Sequence, residues 1–244
     1  MNIRINNLNK AFGEKTAVDI PQLTINNGEI VGIVGNNGAG KTTLFRLMLD
    51  LIKADGGDIS IQDDSEKGAS VEINPAKSED WKVFTGAYID EGFLIDFLTP
   101  EEFFAFIGKV NGLTEHETYE RTDMFKQFMN GEILGQEKLI RSFSAGNKQK
   151  IGIISAFINR PKVAILDEPF NFLDPSSQNS LKHIIKNYHA QNDATILISS
   201  HNLYHIIDVS SRIILLENGR IIKDMPNTGD DTKRELEEYF NIAQ

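Results

Sequence analysis

The string GNNGAGKTT, residues 35–43, places Gly35, Gly40, Lys41 and Thr42 at the spacing G-x-x-x-x-G-K-[ST]. That spacing builds a loop around phosphate. Gly35, Gly38 and Gly40 let the backbone turn tightly, so the N–H groups of Asn36, Asn37, Gly38, Ala39 and Gly40 can point at phosphate oxygens. Lys41 sets a point charge on the outer phosphates, Thr42 offers a hydroxyl to Mg²⁺, and Thr43 can bond the inner phosphate. A second string, VAILDEP at 163–169, is four apolar residues followed by Asp167 and Glu168. A buried strand ending there delivers Asp167 to the metal side of a phosphate site. Glu168, one residue on, can face the terminal phosphate and polarise an attacking water. A solvated acidic strand end is common, and the phosphate loop upstream gives this one its meaning. ILISSH, residues 196–201, repeats the design and ends in His201, which can reach developing charge on a terminal phosphate. His116, His183, His189 and His205 fall in polar or helix-like runs and read as surface residues. FSAGNKQ, residues 143–149, opens a helix-like run with Ser144 and Gly146, a second anion-binding start. No N-K-x-D string is present, since NKQK lacks the aspartate, and this leans away from guanine.

These residues need strands and helices in alternation. Periodicity predicts short strands within the first forty residues, one of them at 29–35, then a helix at 41–52 and strands at 57–62, 69–73 and 81–89. A helical stretch at 99–130 opens on TPEEFF, with Thr99 as cap and Pro100 in the first turn. Helices at 145–158, 175–190 and 202–208 alternate with strands at 163–166 and 195–199. Strands at 212–217 and 219–223 flank the turn ENGR, and a helix at about 232–241 closes the chain. Residues 63–80 read as a long acidic, solvated loop. The alternation predicts an α/β fold with a parallel sheet, interrupted at 92–145 by an inserted helical subdomain.

Composition narrows the partners. The 244 residues hold 25 Lys+Arg against 35 Asp+Glu, a net charge of −10. Without a basic cluster the chain is a poor binder of nucleic acid or anionic lipid. It has no cysteine, hence no disulfide framework or thiolate metal site. The opening residues lack the apolar core of a signal peptide, and no apolar run reaches membrane-spanning length. A cytoplasmic protein is expected, held at a membrane only through another chain.

Taken together the strings resemble the ATP-binding-cassette (ABC) ATPases along nearly the whole chain. FSAGNKQ resembles the family's signature, usually Leu-Ser-Gly-Gly-Gln, through Ser144 and Gly146, with Phe143, Ala145 and Asn147 departing from it. NFLD at 171–174, ending in Asp174, resembles the D-loop, His201 falls at the switch histidine, and Phe12 at the aromatic that stacks on adenine. The Q-loop glutamine is missing, and alignment of AYIDEGFL puts Glu91 in its place beside the metal. The resemblance implies a phosphate-loop NTPase core of ABC type, with an N-terminal antiparallel β subdomain. It would span residues 1–91 and 146–225, with the helical subdomain at 92–145 and a C-terminal helix at 226–244. ATP and Mg²⁺ are the implied ligands.

It also implies an assembly. In this family two cassettes dock head to tail, each ATP lying between one phosphate loop and the partner's signature, so a homodimer or a heterodimer with a second cassette is expected. An integral membrane permease is the expected further partner. Seven of the fifteen phenylalanines fall between residues 93 and 128. Most should pack the subdomain's own core, while Phe93 and Phe97 are candidates for a groove that receives a permease helix. Ribosome- and DNA-acting branches of the superfamily are disfavoured by the single cassette, the short span from phosphate loop to signature, and the acidic charge. Size and the closing ELEEYF resemble exporter-type cassettes with separate permeases, although no residue here reads a cargo.

Overall fold

The structure, a computed structural model, describes residues 1–63 and 71–242. Strands β1 (Asn2–Phe12), β2 (Lys15–Ile25), β4 (Gly56–Asp63) and β5 (Val71–Ile73) form an antiparallel sheet in the order β2-β1-β4-β5. A second sheet orders β10 (Arg220–Pro226), β9 (Arg212–Glu217), β3 (Ile30–Val34), β8 (Thr195–Ser200), β7 (Val163–Leu166) and β6 (Thr85–Tyr88). All its pairings are parallel except β10 with β9. Eight α-helices lie among the described residues, besides three short 3₁₀ turns: α1 (Lys41–Met48), α2 (Pro100–Val110), α3 (Glu115–Asp123), α4 (Lys126–Met129), α5 (Ala145–Phe157), α6 (Pro175–Asn192), α7 (Leu203–Val209) and α8 (Asp230–Ile242).

Strand periodicity explains how the layers assemble. Successive side chains of a strand point to opposite faces, so a strand buried on both sides reads as continuously apolar. In β7, Ala164 and Leu166 join a core with α5 residues such as Ile151 and Phe157, while Val163 and Ile165 join another with Leu44 and Phe45 of α1. The same split divides Ile213 and Leu215 of β9 from Ile214 and Leu216. The antiparallel sheet closes the α1 side through Ile3, Ile5, Val18 and Ile20. The parallel sheet is thus held between a helical layer and a β layer, and the ends of β3, β7 and β8 are fixed from both sides.

Several boundaries differ from the periodicity reading. The first strands are not short, since β1 and β2 run eleven residues each. The helix predicted to Ile52 stops at Met48, followed by Asp50 with positive φ. The strand expected at 81–89 begins at Thr85, because its partner β7 offers no residue to pair before Val163. Residues Asp80–Val83 form a 3₁₀ turn instead. The 99–130 stretch is three helices, broken where Gly112 takes positive φ and Thr114 starts a new capping box. Of the expected strand at 69–73 and loop at 63–80, residues 64–70 lie outside the described residues. His189 and His205 are half-buried rather than at the surface, and His189 Nε2 lies 2.8 Å from the Gly28 carbonyl.

Candidate functional site

The phosphate loop joins β3 to α1, and its conformation is dictated by close packing. Gly40 has φ 109°, and a Cβ there would lie 2.3 Å from the Ala17 carbonyl oxygen. At Gly35 a Cβ would lie 2.3 Å from the Leu216 carbonyl of β9. Both positions accept only glycine, one for backbone angle and contact and one for contact alone. Lys41 is buried and donates to the Gly35 carbonyl at 2.7 Å and to that of Asn36 at 3.3 Å, so its ammonium is wrapped by the loop. A cleft of about 290 Å³ opens above the loop, lined by Asn37, Gly38, Ala39, Gly40, Lys41, Thr42 and Thr43 together with Phe12, Lys15, Ala17 and Glu168. Phe12 closes β1 at its rim, half exposed, with Lys10 Nζ 5.5 Å from its ring centre.

The two carboxylates are held differently. Asp167 is buried, and its oxygens accept from Thr42 Oγ1 at 2.5 Å and from the Ser199 hydroxyl. Burial pushes its carboxyl above the usual carboxylate range, against the opposing pull of those two hydroxyls. Hard oxygens from Thr42 and Asp167 in mutual contact fit Mg²⁺, and a cation there would relieve the burial of the carboxylate. Among the described residues no cluster of three or more histidines and carboxylates could hold a metal alone. Glu168 has φ 45°, a conformation that costs a non-glycine residue on the order of 1–3 kcal/mol. Several contacts hold it there. Its N–H donates to Ser199 Oγ at 2.8 Å, and its carbonyl accepts from Gln149 Nε2 at 3.0 Å and from the Asn171 N–H at 3.1 Å. Its carboxylate lies 2.9 Å from His201 Nδ1 and 3.4 Å from Lys41 Nζ. At about 1 kcal/mol net each, the hydrogen bonds among them are together enough to offset the strain.

Ser144 caps α5, its Oγ accepting from the Asn147 N–H at 3.3 Å, and Gly146 packs under the Phe172 carbonyl. Neither residue lines the phosphate-loop cleft. Asp174 is not brought to it either, because its carboxylate caps α6 by accepting from the Ser177 N–H and hydroxyl. Those bonds hold its carboxyl below the usual range. Glu91 borders a second cleft of about 240 Å³ with Asp167, Glu168, Ala145 and Phe172. Its carboxylate is turned to Lys148 of α5, 3.4 Å away, rather than to Thr42 and Asp167. The neighbouring Asp90 pairs with Arg46 of α1 at 3.0 Å, and Arg46 lies one helical turn beyond Thr42. Asp90, Lys15, Ser199 and Gln149 are the residues that motif reading missed. Ser199 alone carried a signal, as a polar residue ending an apolar strand ahead of His201.

A phosphate loop between a parallel strand and a helix, with an acidic strand end beside it, defines a nucleoside-triphosphate-binding fold. A family model described as "ABC transporter" matches residues 18–171. The methionine import ATP-binding protein of Rhizobium johnstonii is 30% identical over 223 residues, covering 91% of this chain, which spans 60% of that protein's length. Among solved structures, an ATP-binding subunit of an ABC transporter aligns over 100% of both chains at 26% identity, with a TM-score of 0.81. A dimeric ATP-binding cassette bound to ADP and phosphate, in a post-hydrolysis state, aligns over 93% of this chain and 99% of its own at 21% identity and TM-score 0.79. The chain belongs to the ABC transporter family, as one of its ATP-binding cassettes.

Proposed function

We propose that the chain supplies the energy for a separate membrane permease by binding and hydrolysing ATP in a head-to-tail pair of cassettes. The observation that carries this reading is the separation of the two anion-friendly features. The phosphate-loop cleft does not include Ser144 or Gly146, so each chain holds half of two sites. The dimeric state of the cassette bound to ADP and phosphate supports the same arrangement. Either two copies of this chain or this chain and a second cassette would serve. Among the described residues no helix is long and apolar enough to cross a membrane, so attachment to the cytoplasmic face would come through the permease.

In this reading residues 36–43 and Lys41 hold the phosphates, and Phe12 stacks on the adenine. Lys15, beside Gly38, is a further cation for the same cleft. Thr42 and Asp167 would hold Mg²⁺, which supplies charge neutralisation between phosphates when bound. Glu168 orients the water, and His201 holds Glu168 and reaches the terminal phosphate. Ser144 and Gly146 contact the partner's nucleotide. Residues 92–145 form the helical subdomain, and the segment from 226 on carries the closing helix α8, which starts at Asp230 rather than at 226. With Glu168→Gln, ATP and Mg²⁺, the protein is expected to elute as a dimer in size-exclusion chromatography. A monomer at micromolar protein would refute the sandwich.

A further inference from the structure

Gln149 is buried on α5 with both ends of its amide hydrogen-bonded. The Glu168 carbonyl can only accept, so Nε2 faces it at 3.0 Å, and this leaves Oε1 for the Tyr88 hydroxyl at 2.9 Å. Tyr88 in turn ends β6, is buried, and accepts from the Asp167 N–H at 2.9 Å through its carbonyl. Its ring lies against Gly152, where a Cβ would come within 2.0 Å of the ring. The amide is therefore fixed from one side by a rigid strand end and presents its donor to a backbone held at positive φ. The other contacts to Glu168 come from β8, the segment after it, the phosphate loop, and the Asn171 N–H three residues on, which shares the Glu168 carbonyl at 3.1 Å. Gln149 is the one that comes from the signature helix. It sits five residues beyond the cap Ser144, about 7.5 Å along the axis.

We propose that Gln149 is a positioning residue that holds the left-handed conformation of Glu168 and ties it to α5. Resting on the sandwich reading above, this links the two nucleotides. A shift of α5 when Ser144 meets the partner's ATP alters the aim of Glu168 at the ATP on this chain's own phosphate loop. Gln149 touches no nucleotide in this scheme, so it acts on turnover and not on affinity.

The test compares steady-state ATP hydrolysis and binding of a fluorescent ATP analogue by the unaltered chain, Gln149→Ala, Gln149→Glu and Tyr88→Phe. Gln149→Glu keeps size but cannot donate to a carbonyl when ionised, and Tyr88→Phe removes only the hydroxyl that orients the amide. The expected result is a fall in kcat of about 10-fold or more for both Gln149 variants, as misaligned catalytic groups give. A smaller fall is expected for Tyr88→Phe, with KM and analogue binding changed by less than about two-fold in all three. A kcat within two-fold of the unaltered chain, or a parallel loss of nucleotide binding, would overturn the proposal. Elution of Glu168→Gln with ATP, with and without Gln149→Ala, judges the sandwich separately. Dimers in both agree with a role in turnover, whereas loss of the dimer only with Gln149→Ala would make Gln149 an assembly residue and sink the proposal.

Discussion

His205 illustrates what one side chain does next to the site. Its ring stacks on Phe170 with centroids 4.6 Å apart, and its Nδ1 is buried without a hydrogen-bond partner. Burial disfavours the imidazolium and holds its pKa below the ordinary 6.5, with Lys182 pushing the same way and Asp208 opposing; His201 and Glu168 add smaller effects of opposite sign. The unfolded chain therefore binds more protons than the folded one below that ordinary value. The stability His205 contributes is whole above 6.5 and is lost as pH falls through the lower folded value. Urea unfolding at steps between about pH 7.5 and 5.5 is expected to show a shallower acid-side loss for His205→Phe, which keeps the stack. Equal slopes in the two proteins would remove this account. The same contrast governs what the sequence reveals about the site. Lys41, Thr42, Asp167 and Glu168 are legible because the chemistry lies in short contiguous strings. Ser199 and Gln149 act across gaps of 32 and 19 residues, and only the packing of β7, β8 and α5 brings them to Asp167 and Glu168. Glu91 was aligned by position in a string, whereas the direction of its carboxylate depends on Lys148.

At the scale of elements, local chemistry set some boundaries and neighbours set the rest. The start of α2 is local. Thr99 Oγ1 accepts from the Glu102 N–H at 3.2 Å and the Thr99 N–H donates to the Glu102 carboxylate at 2.8 Å, a capping box visible in TPEEFF. Thr99→Ala is expected to lower unfolding stability by about 1 kcal/mol. Hydrolysis should change little, since α2 borders neither the phosphate-loop cleft nor the cleft at Glu91. Urea titration beside an ATPase assay checks both halves, and a loss of turnover without a loss of stability would give the α2 start a role beyond capping. The β-strand core was legible for the same kind of reason, because β7 and the Ile196–Ile198 run of β8 are continuously apolar, and both strands are buried along their whole length. The 3₁₀ turn at Asp80–Val83 was not. WKVFTGAYI alternates like a strand, but Val83 is 75% exposed, and Lys82 and Phe84 donate back to Glu79 and Trp81 rather than across to another strand.

At the scale of the whole molecule, the sequence's phenylalanines sort by what remains uncovered. Phe103, Phe104, Phe125 and Phe128 are core, while Phe93, Phe97 and Phe106 are exposed. Only Phe93 borders an apolar groove of about 190 Å³, whose other walls include Leu49 and Leu51 after α1, Trp81, and Ala87 and Ile89 around β6. Phe97, although 72% exposed, is outside that lining, so the two residues that looked equivalent in sequence separate in space. The groove lies against the end of α1, whose start carries Lys41 and Thr42, so anything seated there contacts the element that holds the phosphate loop. A permease helix is the occupant that the proposed function requires, and an apolar helix face suits such walls. Truncating two apolar anchors at the centre of an interface costs about 2 kcal/mol or more, roughly thirtyfold in affinity. Phe93→Ala with Leu51→Ala is therefore expected to release the chain from its permease in co-purification from membranes, while Phe97→Ala alone retains it. Because Leu51 and Phe93 stand outside the phosphate-loop cleft, ATP-dependent dimerisation of the double variant should persist. Retention of the permease by the double variant would move the docking surface elsewhere, and loss with Phe97→Ala alone would shift it toward the helices of residues 92–145.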